Sequence, residues 1–148
     1  MPEPRFVSSP DTFVVEEIPA YLPSGAGEHT FLWIEKRGLT TWDAVGLLAR
    51  RLRVDARDIG SAGMKDKHAT TRQWLSVPRV PPELAMQASD DQLRVLRAVP
   101  HGNKLKTGHL HGNRFEVIVD GLDDDAARAL AERLAALGRD GLPNRYGD

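Results

Sequence analysis

The sequence predicts an α+β fold: a mixed, largely antiparallel sheet with helices packed on it. Three observations lead there. Short runs alternate apolar and polar residues, or concentrate β-branched and aromatic ones, as strands do. Two longer runs, 40–52 and 123–137, bring apolar residues back at spacings of three and four, as helices do. Strands and helices come in mixed order, and 148 residues suit one domain with its own core.

Residues 1–10 carry three prolines and form an irregular lead-in. Residues 12–18 are rich in β-formers and stop at Pro19, so they read as a strand. Pro23-Ser24-Gly25-Ala26-Gly27 is a turn. A second strand over 29–36 sets Phe31, Trp33 and Glu35 on one face and Leu32 and Ile34 on the other. The connection between these two strands predicts that they pair as antiparallel neighbours. Thr40 or Thr41 caps a helix to Leu52, with Trp42, Val45, Leu48 and Ala49 as its apolar stripe. Arg50, Arg51 and Arg53 sit at its C-terminal end, where cations suit the helix dipole.

A turn at 55–58 leads to a small-residue strand at 59–62. Residues 73–77 form a strand that Pro78 stops, 82–88 a short helix with proline at its start, and 93–99 another strand. Residues 101–112 are basic and punctuated by glycine, a strand-loop segment crossing the surface. Residues 113–119 alternate well and form a strand. Asp123-Asp124-Asp125 opens the last helix, whose stripe is Leu130, Leu134 and Leu137 and whose end is Gly138 or Gly141.

With no cysteine, disulfides and thiolate metal sites are excluded, and a reducing cytoplasm is the expected location. No apolar run reaches the ~20 residues that span a bilayer. Net charge is −1, yet residues 50–79 hold eight Lys/Arg against three acids, and 94–114 hold five against none. A neutral chain with basic middle segments can present a positive face to phosphates. His109 and His111 would share a strand face, but no third ligand accompanies them, so no metal is expected. Gly25-Ala26-Gly27 lacks the third glycine of a dinucleotide loop, and neither a Walker sequence nor a nucleophile elbow occurs.

One stretch stands apart. From Lys65 to Gln73 the hydrophobic pattern lapses for nine residues, which set Asp66 between Lys65 and Lys67 and add His68, two threonines, Arg72 and Gln73. Such a loop is either a solvated turn or a presented site. A carboxylate on a polar loop, with basic surface and nearby rings, suits a site that holds RNA by its phosphates and stacks a base. Lys67, Arg72, Lys104 and Lys106 are the candidates for the RNA backbone. Phe115 is either a stacking ring or part of a core face with Val117 and Val119.

Gly63-Met64-Lys65-Asp66-Lys67-His68-Ala69-Thr70-Thr71-Arg72-Gln73-Trp74 resembles the signature of the TruD family of tRNA pseudouridine synthases, roughly G-x-K-D-[KR]-x-A-x-T-x-Q. Pro10-Asp11-Thr12-Phe13-Val14-Val15-Glu16-Glu17 resembles the family's P-E-D-F-x-V-x-E strand, and Gly25-Ala26-Gly27-Glu28-His29 its G-x-G-E-H turn. Thr40-Thr41-Trp42-Asp43-Ala44 is similar to its N-T-x-x-A helix start, and Gly112-Asn113-Arg114-Phe115 to its G-N-x-F. Gly141-Leu142-Pro143-Asn144-Arg145-Tyr146-Gly147 matches G-[VF]-P-N-[YF]-[FY]-G. The order of all six is kept.

The resemblance implies a pseudouridine synthase-like catalytic fold and a tRNA substrate, with uridine-13 as the best-known target. It implies Asp66 as the nucleophile, with Phe13, Lys65, Asn113 and Phe115 at the substrate and neither cofactor nor metal. Thr12 stands where the family has an acid, and Val7 where a basic residue is common, with Arg5 nearby. It further implies that 1–148 is the N-terminal half of the catalytic domain, without the second half and inserted domain. Two other readings accompany it: a non-catalytic RNA-binding remnant and an inactive fragment of such an enzyme.

Overall fold

In a computed structural model, residues 3–143 are described. They divide into two compact units, one of residues 8–118 and one joining the N-terminal residues to those from 119 onward. The larger unit holds β1 (Phe13–Pro19), β2 (His29–Arg37), α1 (Thr41–Leu52), β3 (Gly60–Ser61), β4 (Thr70–Pro78), α2 (Pro82–Met86), β5 (Leu93–His101) and β6 (Leu110–Val117). The sheet runs β5-β2-β4-β1-β6, and β3 adds to β4. Only β1–β4 is parallel among these pairs.

This order corrects the expected β1–β2 hairpin. β4 lies between those two strands, paired Lys36↔Thr71 on one side and Val15↔Thr71 on the other. The reason is burial. β4 has eight of nine positions apolar or uncharged and is almost wholly buried, so it takes the centre. It also starts at Thr70, three residues before the expected start, which draws the second half of the polar loop into the sheet. β6 likewise starts at Leu110, and β5 continues through Pro100 to His101.

Registered partners share a face. The inner face carries Leu32 and Ile34 of β2, Leu75 and Val77 of β4, and Leu93 and Val95 of β5, packed against Ala44, Val45, Leu48 and Leu52 of α1 and Ala85 of α2. The outer face has a smaller cluster of Phe31, Trp74, Ala62 and Leu105. Trp42, expected in the α1 stripe, is 73% exposed; Thr41 is buried in its place. At Gly60 a Cβ would lie 2.2 Å from the Leu105 carbonyl oxygen, so a larger residue would push the 104–107 loop off β3.

α1 begins with a complete capping box. Asp43 N–H donates to the Thr40 hydroxyl at 3.0 Å, and Thr40 N–H donates to the Asp43 carboxylate at 2.9 Å. The Thr40 hydroxyl, which donates to the Asp43 carboxylate at 2.7 Å, and after it the Thr40 N–H hold that exposed carboxyl below its usual range. Thr40→Ala is expected to lower stability by about 1 kcal/mol in urea titrations.

In the smaller unit, Arg5 and Asp120 form a two-way backbone bridge, and α3 (Asp124–Asp140) follows. Asp123 caps α3 by accepting from Ala126 N–H, and Gly141, at φ 80°, ends it. Leu130, Leu134 and Leu137, read as its apolar stripe, are exposed. Asn144 to Gly147 of the last motif lie outside the described residues.

Candidate active site

The loop 62–69 between β3 and β4 carries the polar stretch, and buried side chains fix its backbone. Thr41, the first residue of α1, accepts from Lys65 N–H at 2.9 Å and donates to Gln73 Oε1 at 2.9 Å. Gln73 Nε2 in turn donates to the Gly63 carbonyl at 2.9 Å. From β2, Lys36 Nζ donates to the carbonyls of Asp66, at 2.9 Å, and Leu39, at 2.6 Å. Ser8 donates to the His68 carbonyl from the other side at 2.7 Å.

Lys65 does not face solvent. Its Nζ is 3.0 Å from Glu17 Oε2, with side chains 2% and 1% exposed. Glu17 Oε1 also accepts from Trp74 N–H at 3.2 Å, filling the gap on the edge of β4 between β1 and β3. These clamps leave Asp66 and Lys67 exposed at the crest. Lys65, expected at the substrate, has its ammonium on Glu17 in this structure.

Lys36, Thr71, Val15 and Phe115 form one row across the inner face of β2, β4, β1 and β6. Gln73 lies one pleat along on β4, and Glu17 pairs with Asn113 between β1 and β6. The Phe13 and Phe115 rings are parallel within 8°, with centroids 6.0 Å apart. Phe115 is 58% exposed, which settles its position as outside the core. At a spacing of about 5 Å per strand, Phe115 stands about 10 Å from the β4 member of the row. The same face therefore carries a ring pair at its edge and Asn113, whose Oδ1 is buried without a hydrogen-bond partner, and its Lys36 reaches the backbone of the exposed Asp66.

Arg72 lies on the opposite face. It is held by Glu16 at 3.0 Å and Glu35 at 2.9 Å, which raises its pKa further. Arg72, expected at the RNA backbone, thus has two carboxylates as its partners in this structure. Lys104 Nζ donates to the Arg57 carbonyl at 2.6 Å, and Lys106 is exposed. His109 bonds Tyr21 through Nδ1 at 2.8 Å. Among the described residues no three His, Asp or Glu side chains group as metal ligands, and no helix is long and apolar enough to cross a membrane.

Sequence reasoning missed Lys36, Glu17, Thr41 and Gln73. A signal for Lys36 was available: the alternation that puts Leu32 and Ile34 inward puts Lys36 inward too. Burial lowers its pKa from 10.5 to about 8, the Lys65 charge adding to the shift and those of Asp66 and Asp43 opposing it. The unfolded chain keeps this proton up to 10.5 and the folded one releases it near 8, so between those values the unfolded state binds more protons. Lys36 thus adds stability as pH rises through that window. Lys36→Met is expected to flatten that part of the stability profile, read by urea denaturation at several pH values. An unchanged slope would mean that Lys36 titrates normally.

The family model described as tRNA pseudouridine synthase D (TruD) matches residues 4–148. The chain belongs to the TruD family. A tRNA pseudouridine synthase D of Geobacter metallireducens is 52% identical over 138 residues, 93% of this chain and 34% of its own length. One from Anaeromyxobacter dehalogenans strain 2CP-1 is 54% identical over 141 residues, 94% of this chain and 39% of its own. The solved structure of the Methanosarcina mazei TruD protein superposes with a TM-score of 0.80 at 26% identity, covering 95% of this chain and 36% of that one. The α+β fold is thus a TruD fold, and the chain spans about a third of the length of the curated relatives it matches.

Proposed function

We propose that the chain supplies the Asp66 side of a tRNA pseudouridine synthase active site, with uridine-13 as the target and Asp66 as the nucleophile. One observation carries this reading: Asp66 stands exposed on a loop whose backbone is clamped by Lys36, Thr41, Gln73 and the Lys65–Glu17 pair. A backbone held in this way fixes the point from which the acid reaches its target, so less is spent on placing it at the moment of reaction.

In the isomerisation the N1–C1′ bond of uridine breaks and a C5–C1′ bond forms. Asp66 attacks C1′ as the uracil leaves, the freed base turns, and C5 displaces the carboxylate. The C5 proton then passes to solvent, and N1 takes one up. The target must leave its stack to reach the carboxylate. Phe115, with Phe13 behind it, offers a stacking surface, and the unpartnered Asn113 Oδ1 is suited to accept from a base N–H. Lys65 acts through Glu17 to hold the loop, and Lys67, exposed beside Asp66, is the cation offered to the RNA backbone.

The chain is read as the N-terminal half of the catalytic domain of a cytoplasmic enzyme that works on tRNA without cofactor or metal. The 148-residue chain alone is expected to turn over weakly or not at all. The test joins it to the remaining length of a family relative and assays a tRNA transcript for pseudouridine by mass spectrometry. Product at position 13, absent when that uridine is cytidine, is expected; product elsewhere only would refute the target, and no product the activity.

A further inference from the structure

Trp42 is not used by this chemistry, yet it is 73% exposed at the start of α1. It lines a groove of about 450 Å³ with Thr41, Met64, Lys104 and Lys106. Met64 is itself half exposed and lies two residues before Asp66, so this groove opens beside the catalytic loop. A second groove, of about 660 Å³, shares Lys104 and Lys106 and continues to Tyr21, His101 and His109. Neither lining contains a carboxylate, and both volumes lie in the range of small-ligand sites.

The far end is built rather than incidental. Tyr21 and His101 are stacked at 5.5 Å, and the Tyr21 hydroxyl meets His109 Nδ1 at 2.8 Å. Ser24 N–H donates to His101 Nδ1 at 3.1 Å, so neutral His101 carries its proton on Nε2 and keeps a donor. His101 also packs on Phe31, on the face opposite Lys36 and Gln73. The two grooves therefore lead from the Asp66 loop, past β3, to the other face of the sheet.

We propose that the two grooves form one track for a single-stranded stretch of RNA flanking the target uridine. Trp42 stacks a base, Lys104 and Lys106 take phosphates, and the Tyr21–His101–His109 cluster receives the strand beyond them. Rings alternating with cations and free of carboxylates suit single-stranded RNA, whose bases are open for stacking. The proposal rests on the RNA-isomerase reading and extends it to a part of the surface that the chemistry does not touch.

The test uses the 148-residue chain and a short single-stranded oligoribonucleotide containing one uridine. Trp74 is 4% exposed and Trp33 partly buried, so quenching of tryptophan fluorescence reports Trp42. Trp42→Leu should abolish the quenching and weaken binding roughly tenfold, the scale of one stacked base. Lys104→Gln with Lys106→Gln should lower the slope of log K against log salt by about 1.4. Arg50→Gln with Arg133→Gln removes the same charge from exposed positions outside both linings and should bind like wild type.

Quenching that persists in Trp42→Leu, or a lysine pair that binds like the arginine pair, would overturn the track. Asp66→Asn should bind and quench as wild type does. A family-length protein that forms no pseudouridine, while binding and quenching stand, would count against the isomerase reading and leave the track supported. Turnover with Trp42→Leu binding undiminished would remove the track alone.

Discussion

Glu17→Ala is expected to lower stability by about 3–5 kcal/mol, because it strands the buried Lys65 ammonium. The pair is almost fully buried, at 2% and 1% exposure, so water cannot replace the lost partner. The same substitution frees Trp74 N–H, which has Glu17 Oε1 as its acceptor. Against a typical total of about 5–15 kcal/mol, such a loss is visible in any denaturant titration. The double variant Glu17→Leu/Lys65→Met removes both charges together and should recover much of the loss. A Glu17→Ala chain within about 1 kcal/mol of wild type would show that the ion pair does not clamp the loop.

Asp66→Asn is expected to lower turnover by about four orders of magnitude in the family-length protein, the scale of losing a nucleophile. Asparagine keeps the shape and cannot form the ester through which C1′ is transferred. The clamps that define the loop use the backbone of Asp66, not its carboxylate, and the side chain is exposed. Stability and tRNA affinity should therefore hold while kcat falls. Equal losses in affinity and turnover would mark Asp66 as a binding group instead.

The strands and helices could be read from the sequence because their signals are local. The capping box at Thr40 and Asp43 lies within four residues, and the alternation of β2 lies within nine. Strand order could not be read in the same way. β1 pairs in parallel with β4 across the whole of β2 and α1, an arrangement decided by which strand can be buried on both faces.

Within the site, Asp66 was legible because a lapse in hydrophobic pattern is conspicuous. Its supports were not, because they resemble ordinary strand residues until the register places them. Lys36 comes from β2, Glu17 from β1 and Gln73 from β4, and they meet only through the sheet. The surroundings of Arg72 were hidden for the matching reason. It lies next to the polar loop in sequence, but the pleat turns it to the opposite face, onto Glu16 and Glu35. Phe115 shows the limit of periodicity itself. Alternation gives which residues share a face, and only the fold shows that this face is open at Phe115.

The most direct measurement is tritium release from tRNA carrying [5-³H]uridine, because isomerisation must send the C5 hydrogen to solvent. With the family-length protein, a catalytic Asp66 predicts one equivalent of tritium released per tRNA and none above background in Asp66→Asn. Release at the wild-type rate by Asp66→Asn would contradict it.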